Sequence, residues 1–499
     1  MASGTGPGGD ADARRALWTA LRYPALALER LGPRDPDAAH AVVARDGARR
    51  FVLACDAAAA EAGVRTGLAL SSALALAPGL VAIEHDAAAL EAHLELLALA
   101  ALEHSSIVVP RPPDTVLIES GGSLALFGGI GAFVTRLREA AAADALTALV
   151  ATAPTPAGAH LLARAGRELA LATPAGLRRA LAPLPLAPLG LEAAVRSGLE
   201  RSGIRSVGAL LDLPPASVAR RFGAALADAL YRLDGRLPDP QVPLAVPPAF
   251  RAGADCPLDA ATSGALAFLL RRLIAALAGY LRGADLGVGA LLVTLRHRHR
   301  PPTVLEVALS GTTADAARLA RTVGTRLERT ALEAPVTRVE LEALGLAPVE
   351  RARVDLLDAS GEGGAAGGPG RDDREAVGAL VDELAARLGD ARVYTALAHD
   401  EHRPEAASAR VLPARRGVPG PWPARPLWLL RAPLEAPRSL ELASAPERIE
   451  SGWWDETDVR RDYFIARDAR GVHYWVFRRR GGGEGGEPDG RLWIHGLFA

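Results

Sequence analysis

Apolar runs and amphipathic stretches alternate over the first third of the chain. Strand-like runs occur in "ALWTALRY", which breaks at Pro24, and in "RRFVLAC", "TVLIE" and "ALTALVATAP". Between them lie helical stretches rich in Ala and Leu, among them Asp86 to His104 and Ile130 to Ala143. This alternation predicts an α/β sheet domain, to which we assign residues 16–170. The polar stretch that precedes it, 1–15, is predicted to be disordered.

The pattern changes three times after this domain. Residues 171–240 are helical, and residues 245–345 follow the order strand, helix, two strands, helix, strand, a βαββαβ arrangement that closes a small independent sheet. A glycine-rich linker is expected over 346–389. The tail, 390–499, holds six of the seven tryptophans and is predicted to form a small Trp-rich β module. The expected fold class is therefore α+β and multidomain.

The charge balance restricts where nucleic acid can bind. The 499-residue chain has a formal net charge of −1 and no lysine, so its cationic side chains other than His are all Arg. A nucleic-acid surface would therefore be a local Arg patch and not a property of the whole chain. Cys55 and Cys256 are far apart and lack a CxxC partner, which argues against a zinc site and a disulfide framework. No cofactor is expected.

The sequence predicts neither a secretory signal nor a membrane span. The N-terminus, "MASGTGPGGDADARR", lacks an apolar core, and no later run reaches about 18 uninterrupted apolar residues. Unpaired cysteines are typical of a reducing compartment. We therefore expect a cytoplasmic protein.

One acidic residue stands at the end of a predicted buried strand. In "DTVLIESGGSLALFGG", Asp114 to Gly129, the run Val116 to Ile118 leads into Glu119 and then into a turn of small residues. Metal-dependent enzymes present carboxylates in this way, but two magnesium ions need several oxygen ligands. A second carboxylate is absent from this strand end, because Ser120 follows Glu119.

The order of these segments resembles the Y-family translesion DNA polymerases from about residue 16 to 345. Residues 16–170 correspond to the palm and fingers, 171–240 to the helical thumb, and 245–345 to the little finger. The stretch "EAGVRTGLALSSALALAPGL", Glu61 to Leu80, is similar to the family's fingers motif, and "GLERSGIRSVGALLDLP" is similar to its thumb. The resemblance implies a polymerase-like fold that binds DNA.

The residues that this family uses for chemistry are absent at the matching positions. The first acidic motif should fall in "LWTALRYPAL", Leu17 to Leu26, which contains no Asp or Glu, and the second, an Asp-Glu pair, falls on Glu119 and Ser120. The family's Tyr and Arg contacts to the incoming triphosphate fall on Ala57 and Ala60. The resemblance therefore implies a non-catalytic scaffold without a metal site. In it, Glu119 is either a relic ligand or a solvent-exposed strand-end acid.

The C-terminal tail narrows the resemblance. Its strings "APERIESGWWDETDVRRDYFIARDARGVHYWVFRRR" and "RLWIHGLFA", with "DEHRPE" at Asp400 to Glu405, are similar to the tail of the ImuB family, the polymerase-like subunits of the bacterial mutasome. This implies an SOS-induced, non-catalytic adaptor at the nucleoid. The implied partners are primed or damaged DNA, the sliding clamp, an ImuA-type RecA-like protein and an error-prone DnaE-type polymerase. No membrane partner is implied.

Three arginines are candidate DNA contacts in the predicted little finger. In "GALLVTLRHRHRPP", a strand period of two places Arg296, Arg298 and, if the strand persists, Arg300 on one face, about 6.6 Å apart. This spacing suits the phosphates of one strand, which would be bound without sequence readout. The alternative is a solvated edge strand whose arginines deter aggregation. His297 and His299 alone are a weak indication of a metal site.

The predicted thumb offers a second DNA contact. The stretch "PLGLEAAVRSGL" resembles a helix-hairpin-helix, in which backbone N–H groups face a phosphate at a helix start. Such hairpins usually carry two glycines, and here Gly190 alone remains before Leu191. The contact at Gly190 is therefore either weak or purely structural.

A candidate clamp-binding peptide follows the predicted little finger. The sequence "RVDLL" has the acid and the terminal apolar pair of the extended peptides that bacterial sliding clamps bind, but it has Arg in the place of the leading Gln. The alternative is a strand extension or plain linker. A second stretch, "QVPLA" at Gln241 to Ala245, has the Gln but lacks the second large apolar residue and ranks lower. The candidate clamp residues are Arg353, Val354, Asp355, Leu356 and Leu357.

Aromatic residues concentrate in the tail. Aromatics are both anchors of small β cores and common interface hot spots, so core packing is the expectation for most of them. An interface role is expected for the extreme C-terminus, because an apolar end would otherwise fray into water. The candidate partner-binding residues are Trp453, Trp454, Trp493, His495, Leu497 and Phe498.

Two other functions are open at this point. One is a divergent but active translesion polymerase that uses acids outside the matched positions. The other is a carboxylate-dependent hydrolase built on Asp114 and Glu119. These residues lie at opposite ends of one predicted strand, about 16 Å apart, which is too far for general acid and base work on one bond.

Overall fold

The computed structural model of the protein describes residues 17–30, 38–260, 263–348, 371–389, 392–398, 401–411, 425–452, 458–480 and 490–498. Three sets of predicted features lie outside the described residues: the N-terminal stretch 1–15, the candidate clamp peptide Arg353–Leu357, and the pair Trp453 and Trp454. The chain divides into two compact units, Met1–Gly370 and Arg371–Ala499.

The first unit contains twelve named strands and thirteen α-helices within its described residues. In chain order they are β1 (Trp18–Arg22), α1 (Leu26–Glu29), β2 (His40–Asp46), β3 (Arg49–Cys55), α2 (Ala57–Glu61), α3 (Leu70–Leu76), β4 (Val81–Glu84), α4 (Ala87–Ala101), β5 (Val108–Arg111), β6 (Thr115–Glu119), α5 (Ile130–Ala143), β7 (Leu149–Ala153), α6 (Pro156–Arg164), α7 (Pro174–Leu181), α8 (Ala193–Arg201), α9 (Val207–Leu211), α10 (Pro215–Phe222), α11 (Ala224–Asp234), β8 (Arg251–Ala260), α12 (Ser263–Ala284), β9 (Leu286–His297), β10 (Thr303–Thr313), α13 (Ala316–Glu328), β11 (Val336–Leu344) and β12 (Ala347–Pro348). A short 3-10 helix, Ala187–Leu189, lies between α7 and α8.

The palm is an antiparallel sheet of strand order β5-β6-β1-β7. Its strands are near-continuous apolar runs because the sheet is buried on both faces. In β6, Val116 and Ile118 belong to a core with Phe133 of α5, whereas Leu117 belongs to a second core with α6 and the thumb helices. The strand period of two thus divides a single strand between two cores.

In the sequence, the fingers are inserted between β1 and β5 of this sheet, and the thumb follows it. The fingers contain a sheet of order β3-β2-β4 around Val43 and Val52, and Gly63 and Gly67 adopt φ values of +94° and +89° in the turns before α3. Both glycines lie in the left-handed region of backbone conformation, which residues other than glycine disfavour. Helices α7 to α11 form the thumb, and their buried leucines share one core with α6.

The little finger has the predicted βαββαβ order. Its sheet has strand order β10-β9-β11-β8 with antiparallel neighbours, and β12 pairs with the start of β9. Leucines and valines of α12 and α13 form one core with the alternate residues Leu291, Val293 and Leu295 of β9. The opposite face of the sheet carries polar side chains together with a few apolar ones, among them Leu292 and Val304. The predicted α+β multidomain fold class is confirmed.

Helix α12 of the little finger packs directly on α4 of the palm. At the crossing, a Cβ added to Gly279 would lie 1.9 Å from the carbonyl oxygen of Leu99, so only glycine fits there. Nearby, the Arg272 side chain is 3% exposed and donates to the carbonyl oxygens of Glu29 at 3.1 Å and Asp144 at 2.6 Å. Burial lowers the pKa of Arg272 to about 10. Backbone acceptors therefore hold a buried cation between palm and little finger.

The second unit is mainly a β sheet. Its described elements are α14 (Arg371–Leu388), β13 (Thr395–Ala398), β14 (Ser408–Val411), β15 (Trp428–Glu435), β16 (Glu441–Leu442), β17 (Glu447–Ser451), β18 (Val459–Arg467), β19 (His473–Arg479) and β20 (Leu492–Leu497). The large sheet has order β15-β20-β19-β18-β16, with β17 also paired to β18. Tyr463, Trp475 and Phe477 form its core with Ile449. Helix α14 lies within 346–389, the segment that was expected to be a linker. The expectation missed this helix because its helix-forming sequence begins directly after the glycine run.

Candidate functional site

The palm strand ends are where the polymerase resemblance places its carboxylates. Glu119, the last residue of β6, pairs with Trp18 of β1 across the sheet. Its Oε2 accepts a hydrogen bond from the backbone N–H of Gly122 at 3.4 Å, and its side chain is half-buried. Glu119 therefore closes the turn that follows β6.

Beside Glu119, neutral hydroxyl groups form a buried chain. Ser120 Oγ donates to the carbonyl oxygen of Leu17 at 3.0 Å and accepts from Thr19 Oγ1 at 3.0 Å. The Oγ1 atoms of Thr19 and Thr152 lie 2.9 Å apart, and Thr152 donates because Thr19 gives its proton to Ser120. All three hydroxyl residues are 0% exposed. Sequence reasoning did not identify Thr19 and Thr152, because strand threonines carry no signal of their own.

The other acid that flanks β6 is engaged elsewhere. Asp114, just before β6, forms an ion pair of 2.8 Å with Arg22 at the far end of β1. Asp114 and Glu119 thus stand at opposite ends of β6. Within the part of the chain that the structure describes, no three His, Cys, Asp or Glu side chains gather closely enough to share a metal ion.

The fingers present no polar side chain at the two matched triphosphate positions. Ala57 and Ala60 both lie on α2, whose N-cap Asp56 accepts from the backbone N–H of Ala59 at 2.9 Å. The second carboxylate oxygen of Asp56 lies 3.0 Å from both the backbone nitrogen and Nδ1 of His40. The polar groups at this helix start are therefore paired within the fingers.

The row of three arginines predicted on the little-finger strand is not continuous. Strand β9 ends at His297, so Arg296 lies on the strand while Arg298 and Arg300 lie in the connection to β10. The condition on which Arg300 would share that face, a strand that persists to residue 300, is not met, because Pro301 and Pro302 have no N–H with which to continue the ladder.

His297 has a structural role at the end of this strand. Its Nδ1 lies 3.1 Å from the carbonyl oxygen of Pro335, and its Nε2 lies 2.9 Å from Oγ1 of Thr303. Both ring nitrogens therefore have partners within the protein. The ring of His297 is therefore engaged in strand-end packing, whereas His299 is exposed beyond the end of the strand.

The polar face of the little-finger sheet pairs each of its arginines with acids. Arg296 Nε donates to Glu340 at 2.7 Å, and Arg338 contacts the same Glu340 at 3.2 Å and Asp255 at 2.6 Å. Arg251 pairs with Glu342 at 2.6 Å. The hydrogen bond from Arg296 is the largest of the contacts that lower the pKa of Glu340.

These pairs are exposed to solvent. Arg296 is 54% exposed in its side chain, and Arg300, in the connection, pairs with Glu333 at 2.8 Å. Exposed ion pairs are weak, so phosphate oxygens can exchange with the carboxylates at low free-energy cost. Sequence reasoning missed the acids on this face, because they lie on strands distant in sequence.

Gly190 ends the 3-10 helix with φ +66°. The guanidinium of Arg164 lies against it, and a Cβ at this position would be 2.9 Å from Nη1 of Arg164. The thumb has a second glycine turn at Gly203, φ +81°, between α8 and α9, where the Ile204 N–H bonds the carbonyl oxygen of Leu199 at 3.0 Å. The structure thus places Gly190 against an arginine of the palm, and Gly203 at the tip of an exposed hairpin.

In the second unit, the candidate partner residues differ in exposure. His495 is 1% exposed, and its Nδ1 lies 2.7 Å from the hydroxyl of Tyr463. Burial is the main cause that lowers the pKa of His495. Trp493, Leu497 and Phe498 are half-buried on the same strand and just beyond it. His495 therefore belongs to the core of the sheet, and its neighbours are accessible.

The "DEHRPE" segment is tied to this sheet. Glu401 accepts from Arg403 at 2.8 Å and from the hydroxyl of Ser451 at 3.0 Å. Glu405 accepts from Arg461 at 2.5 Å and lies 3.6 Å from Nε2 of His495. The motif thus supplies acids that hold the sheet's buried polar groups.

An exposed apolar edge was not foreseen from the sequence. Among the described strands, β15 is at the edge of the sheet, and Leu427 and Trp428, just before it and at its start, are 76% and 72% exposed. Exposed apolar edge strands are sites where another chain can add a strand. The sequence does carry a signal for this edge, because Leu427 and Trp428 are adjacent large apolar residues where a strand begins.

Membrane-spanning segments were sought among the described helices, and none has both the length and the apolar content that a span requires.

Comparison with known proteins gives three kinds of similarity. Residues 33–164 match the IMS family, described as the impB/mucB/samB family. Among solved structures, DinB from Sulfolobus solfataricus has a TM-score of 0.37 at 14% identity, and an insertion ternary complex of Dbh DNA polymerase has a TM-score of 0.38 at 15% identity. Each covers 66% of this chain and 98% of its own.

The third similarity is to curated proteins. Two sequences named Protein ImuB, from Caulobacter vibrioides strains NA1000/CB15N and ATCC 19089/CIP 103742/CB 15, are each 32% identical to this chain over 478 residues. The alignment covers 87% of this chain and 100% of each relative. With this identity over the full length of its relatives, the chain belongs to the ImuB family.

Proposed function

We propose that this ImuB-family protein is a non-catalytic, Y-family polymerase-like adaptor in SOS-induced translesion synthesis and mutagenesis. It acts at the nucleoid in the cytoplasm, where it binds primed or damaged DNA and links it to other proteins. The observation that carries the proposal is the buried hydroxyl chain of Ser120, Thr19 and Thr152 at the palm strand ends. Neutral hydroxyls supply neither the charge nor the number of oxygen ligands that two magnesium ions need.

The DNA-binding part of the proposal rests on the little-finger face. Arg296 and Arg338 are held in position by Glu340, and exchange of that carboxylate for a phosphate conserves the number of charge-assisted hydrogen bonds. Binding of this kind is independent of sequence and weakens as salt rises. Arg298 and Arg300 extend the patch, and Gly190 does not contribute directly because Arg164 occupies its surface.

The partner-binding part rests on the second unit and on the clamp peptide. The exposed edge at Leu427 and Trp428 and the accessible end at Phe498 are the surfaces for an ImuA-type RecA-like protein and an error-prone DnaE-type polymerase. The peptide Arg353–Leu357 is the candidate for the sliding clamp. A divergent active polymerase is the alternative function, in which Glu119 is a ligand.

A primer-extension and binding assay with the full-length protein tests the catalytic part. We expect binding to primed DNA that falls steeply with salt, and no nucleotide addition with magnesium or manganese. Extension that Glu119→Ala abolishes would contradict the proposal and establish the active polymerase. Extension that co-purifies with the protein and persists in Glu119→Ala would also contradict the proposal and would assign catalysis to acids outside the matched positions.

A capture assay with purified partners tests the adaptor part. Full-length protein and its Trp428→Arg variant are compared for binding to purified clamp, ImuA-type protein and DnaE-type polymerase. We expect Trp428→Arg to weaken capture of the ImuA-type or DnaE-type partner and to leave clamp and DNA binding unchanged. Unchanged capture of all three partners would contradict a role for the β15 edge.

A further inference from the structure

A cavity of about 290 Å³ lies between the palm and the thumb. Helix α6 forms one wall, and the 3-10 helix and α11 form the others. Its volume is at the low end of the range for small-molecule sites, which combine apolar walls with a few polar groups. The apolar walls include Pro156, Leu161, Leu189, Leu191, Leu230 and Leu233.

The rim of this cavity is cationic. Arg111, Arg164 and Arg232 line it together with one acid, Asp239. Within the described ranges, the side chains of Arg164 and Arg232 have no carboxylate at ion-pair distance, in contrast to the arginines of the little-finger sheet. Arg111 donates to the neutral amide oxygen of Gln241 at 2.5 Å, which leaves its charge uncompensated. Among the described residues, the rim therefore carries three guanidinium groups and one carboxylate, which leaves a net positive charge.

His160 is a further titratable group of the cavity lining. It lines the cavity from α6, although its Nδ1 atom is closed off from solvent and has no hydrogen-bond partner among the residues that the structure describes. Burial, followed by the nearby charges of Arg164 and Arg111, lowers the pKa of His160 to about 4. A bound anion in the cavity would therefore act on His160 through its charge, by stabilising the imidazolium.

The side chain of Arg164 is held in place at the cavity by its neighbours. Gly190 has no side chain and adopts a left-handed turn, and the guanidinium of Arg164 occupies the space where a Cβ would stand, 2.9 Å from its Nη1. At the opposite side, Thr155 at the start of α6 donates to the carbonyl oxygen of Leu233 at 2.9 Å and joins palm to thumb. The apolar walls and the rim arginine are therefore positioned relative to each other.

We propose that this cavity binds an organic phosphate of about the size of a nucleoside monophosphate, with its ring system on the leucine wall and its phosphate at Arg164 and Arg232. A phosphate monoester carries a charge of about −1.5 to −2 at neutral pH, which suits several guanidinium groups better than a single carboxylate would. Guanidinium forks also bond two phosphate oxygens at once. Asp239 is available to a sugar hydroxyl or a base amine.

The ligand has two sources with the same chemistry: a free nucleotide and the 5′-phosphorylated end of a DNA strand. The proposal does not depend on the adaptor function or on the little-finger face. Its test uses full-length protein with adenosine 5′-monophosphate, adenosine, and one short oligodeoxynucleotide with either a 5′-phosphate or a 5′-hydroxyl. Binding is measured by calorimetry and by NMR of labelled histidine.

We expect saturable binding of adenosine 5′-monophosphate and at least tenfold weaker binding of adenosine, about 1.4 kcal/mol at 25 °C. Arg164→Gln is expected to weaken nucleotide binding at least tenfold. The matched control Arg167→Gln removes an exposed arginine one turn away, outside the cavity lining, and should change binding less than twofold. The His160 signal should titrate at higher pH when nucleotide is bound, because a phosphate stabilises the imidazolium.

Further measurements distinguish the two ligand sources and define the results that would overturn the proposal. A clear preference for the 5′-phosphorylated over the 5′-hydroxyl oligonucleotide assigns a DNA end, and equal oligonucleotide binding with tight nucleotide binding assigns a free nucleotide. Ala229→Trp fills the cavity without changing charge and should abolish binding while the melting temperature is kept. Equal affinity for nucleotide and nucleoside, or unchanged affinity in both Arg164→Gln and Ala229→Trp, overturns the proposal. Arg296→Gln affects DNA binding alone, so the two proposals fail separately.

Discussion

Two sheet regions of the first unit carry polar side chains in opposite ways. At the palm strand ends, Ser120, Thr19 and Thr152 are fully buried, neutral and bonded in a chain. On the little-finger face, arginines and acids are exposed and paired. Burial makes a charge costly to reintroduce, whereas exposure lets a charge change its partner. Under the proposed adaptor function, the palm strand ends are sealed by neutral hydroxyls, and the little-finger arginines can exchange their carboxylate partners for phosphates.

The largest expected effect is at the palm. Thr19→Asp places a carboxylate among the buried hydroxyls, with no cation beside it. We expect the free energy of unfolding to fall by about 3–5 kcal/mol, because an uncompensated buried charge is strongly destabilising. Urea unfolding at pH 7 measures this change in the free energy of unfolding.

Thr19→Ser is the control, since it keeps the hydroxyl chain and should cost far less. A Thr19→Asp protein that unfolds within 1 kcal/mol of the wild type, or that gains primer extension with magnesium, would show that the strand ends are not sealed as described.

A second prediction concerns the protonation of His93, a buried histidine. His93 is 7% exposed, and burial, with the charges of Arg272 and Arg30, lowers its pKa to about 3. Between pH 3 and the unfolded pKa of about 6.5, the unfolded chain binds a proton that the folded chain does not. The contribution of His93 to stability is therefore present above pH 6.5 and lost as pH falls.

The contribution of His93 is up to about 1.4 kcal/mol of unfolding free energy per pH unit. His93→Gln should flatten the dependence of stability on pH between 6 and 4 by this amount, as measured by urea unfolding at several pH values. The control His299→Gln removes an exposed imidazole. Equal slopes for wild type and His93→Gln would contradict the burial of His93.

The smallest effect is at the little-finger face. Glu340→Gln removes the carboxylate shared by Arg296 and Arg338, and we expect DNA affinity to rise about threefold, with a steeper dependence on salt. Fluorescence anisotropy over a range of salt concentrations measures both quantities. Glu306→Gln is the matched control, because Glu306 is exposed and stands opposite Leu292 on the same face without an arginine partner among the described residues.

An equal gain in both variants would assign the effect to net charge alone. A loss of affinity in Glu340→Gln would show that the carboxylate positions the arginines for DNA instead of competing with it.

Local pattern was sufficient to predict much of the fold. The helix predicted over Ile130 to Ala143 has those bounds in the structure, since apolar spacing and the glycines before it mark its start. The strand period of two in β9 predicted that Arg296 lies on the face away from Val293 and Leu295, and the structure buries these two residues in the core. These features depend on neighbours within a few residues, which a sequence shows directly.

Features that depend on register between distant segments were not predictable. The Arg296–Glu340 pair joins residues 44 positions apart, and the hydroxyl chain needs β1 and β7 to lie side by side in one alignment. The burial of His495 depends on the packing of β20 against the aromatic core. The early end of β9 was predictable in principle, because the two prolines that stop it are adjacent in the sequence.

The contact of Gly279 with Leu99 makes the little finger and palm inseparable parts for protein engineering. A chimaera that grafts the little finger of a relative onto this palm would need a glycine at the crossing and an arginine equivalent to Arg272. Without them, the grafted helix would collide with a main-chain oxygen, and three peptide carbonyls would lose their cation. Exchange of a little finger between such proteins is therefore expected to succeed only when the incoming helix supplies both residues, or when palm and little finger are transferred together.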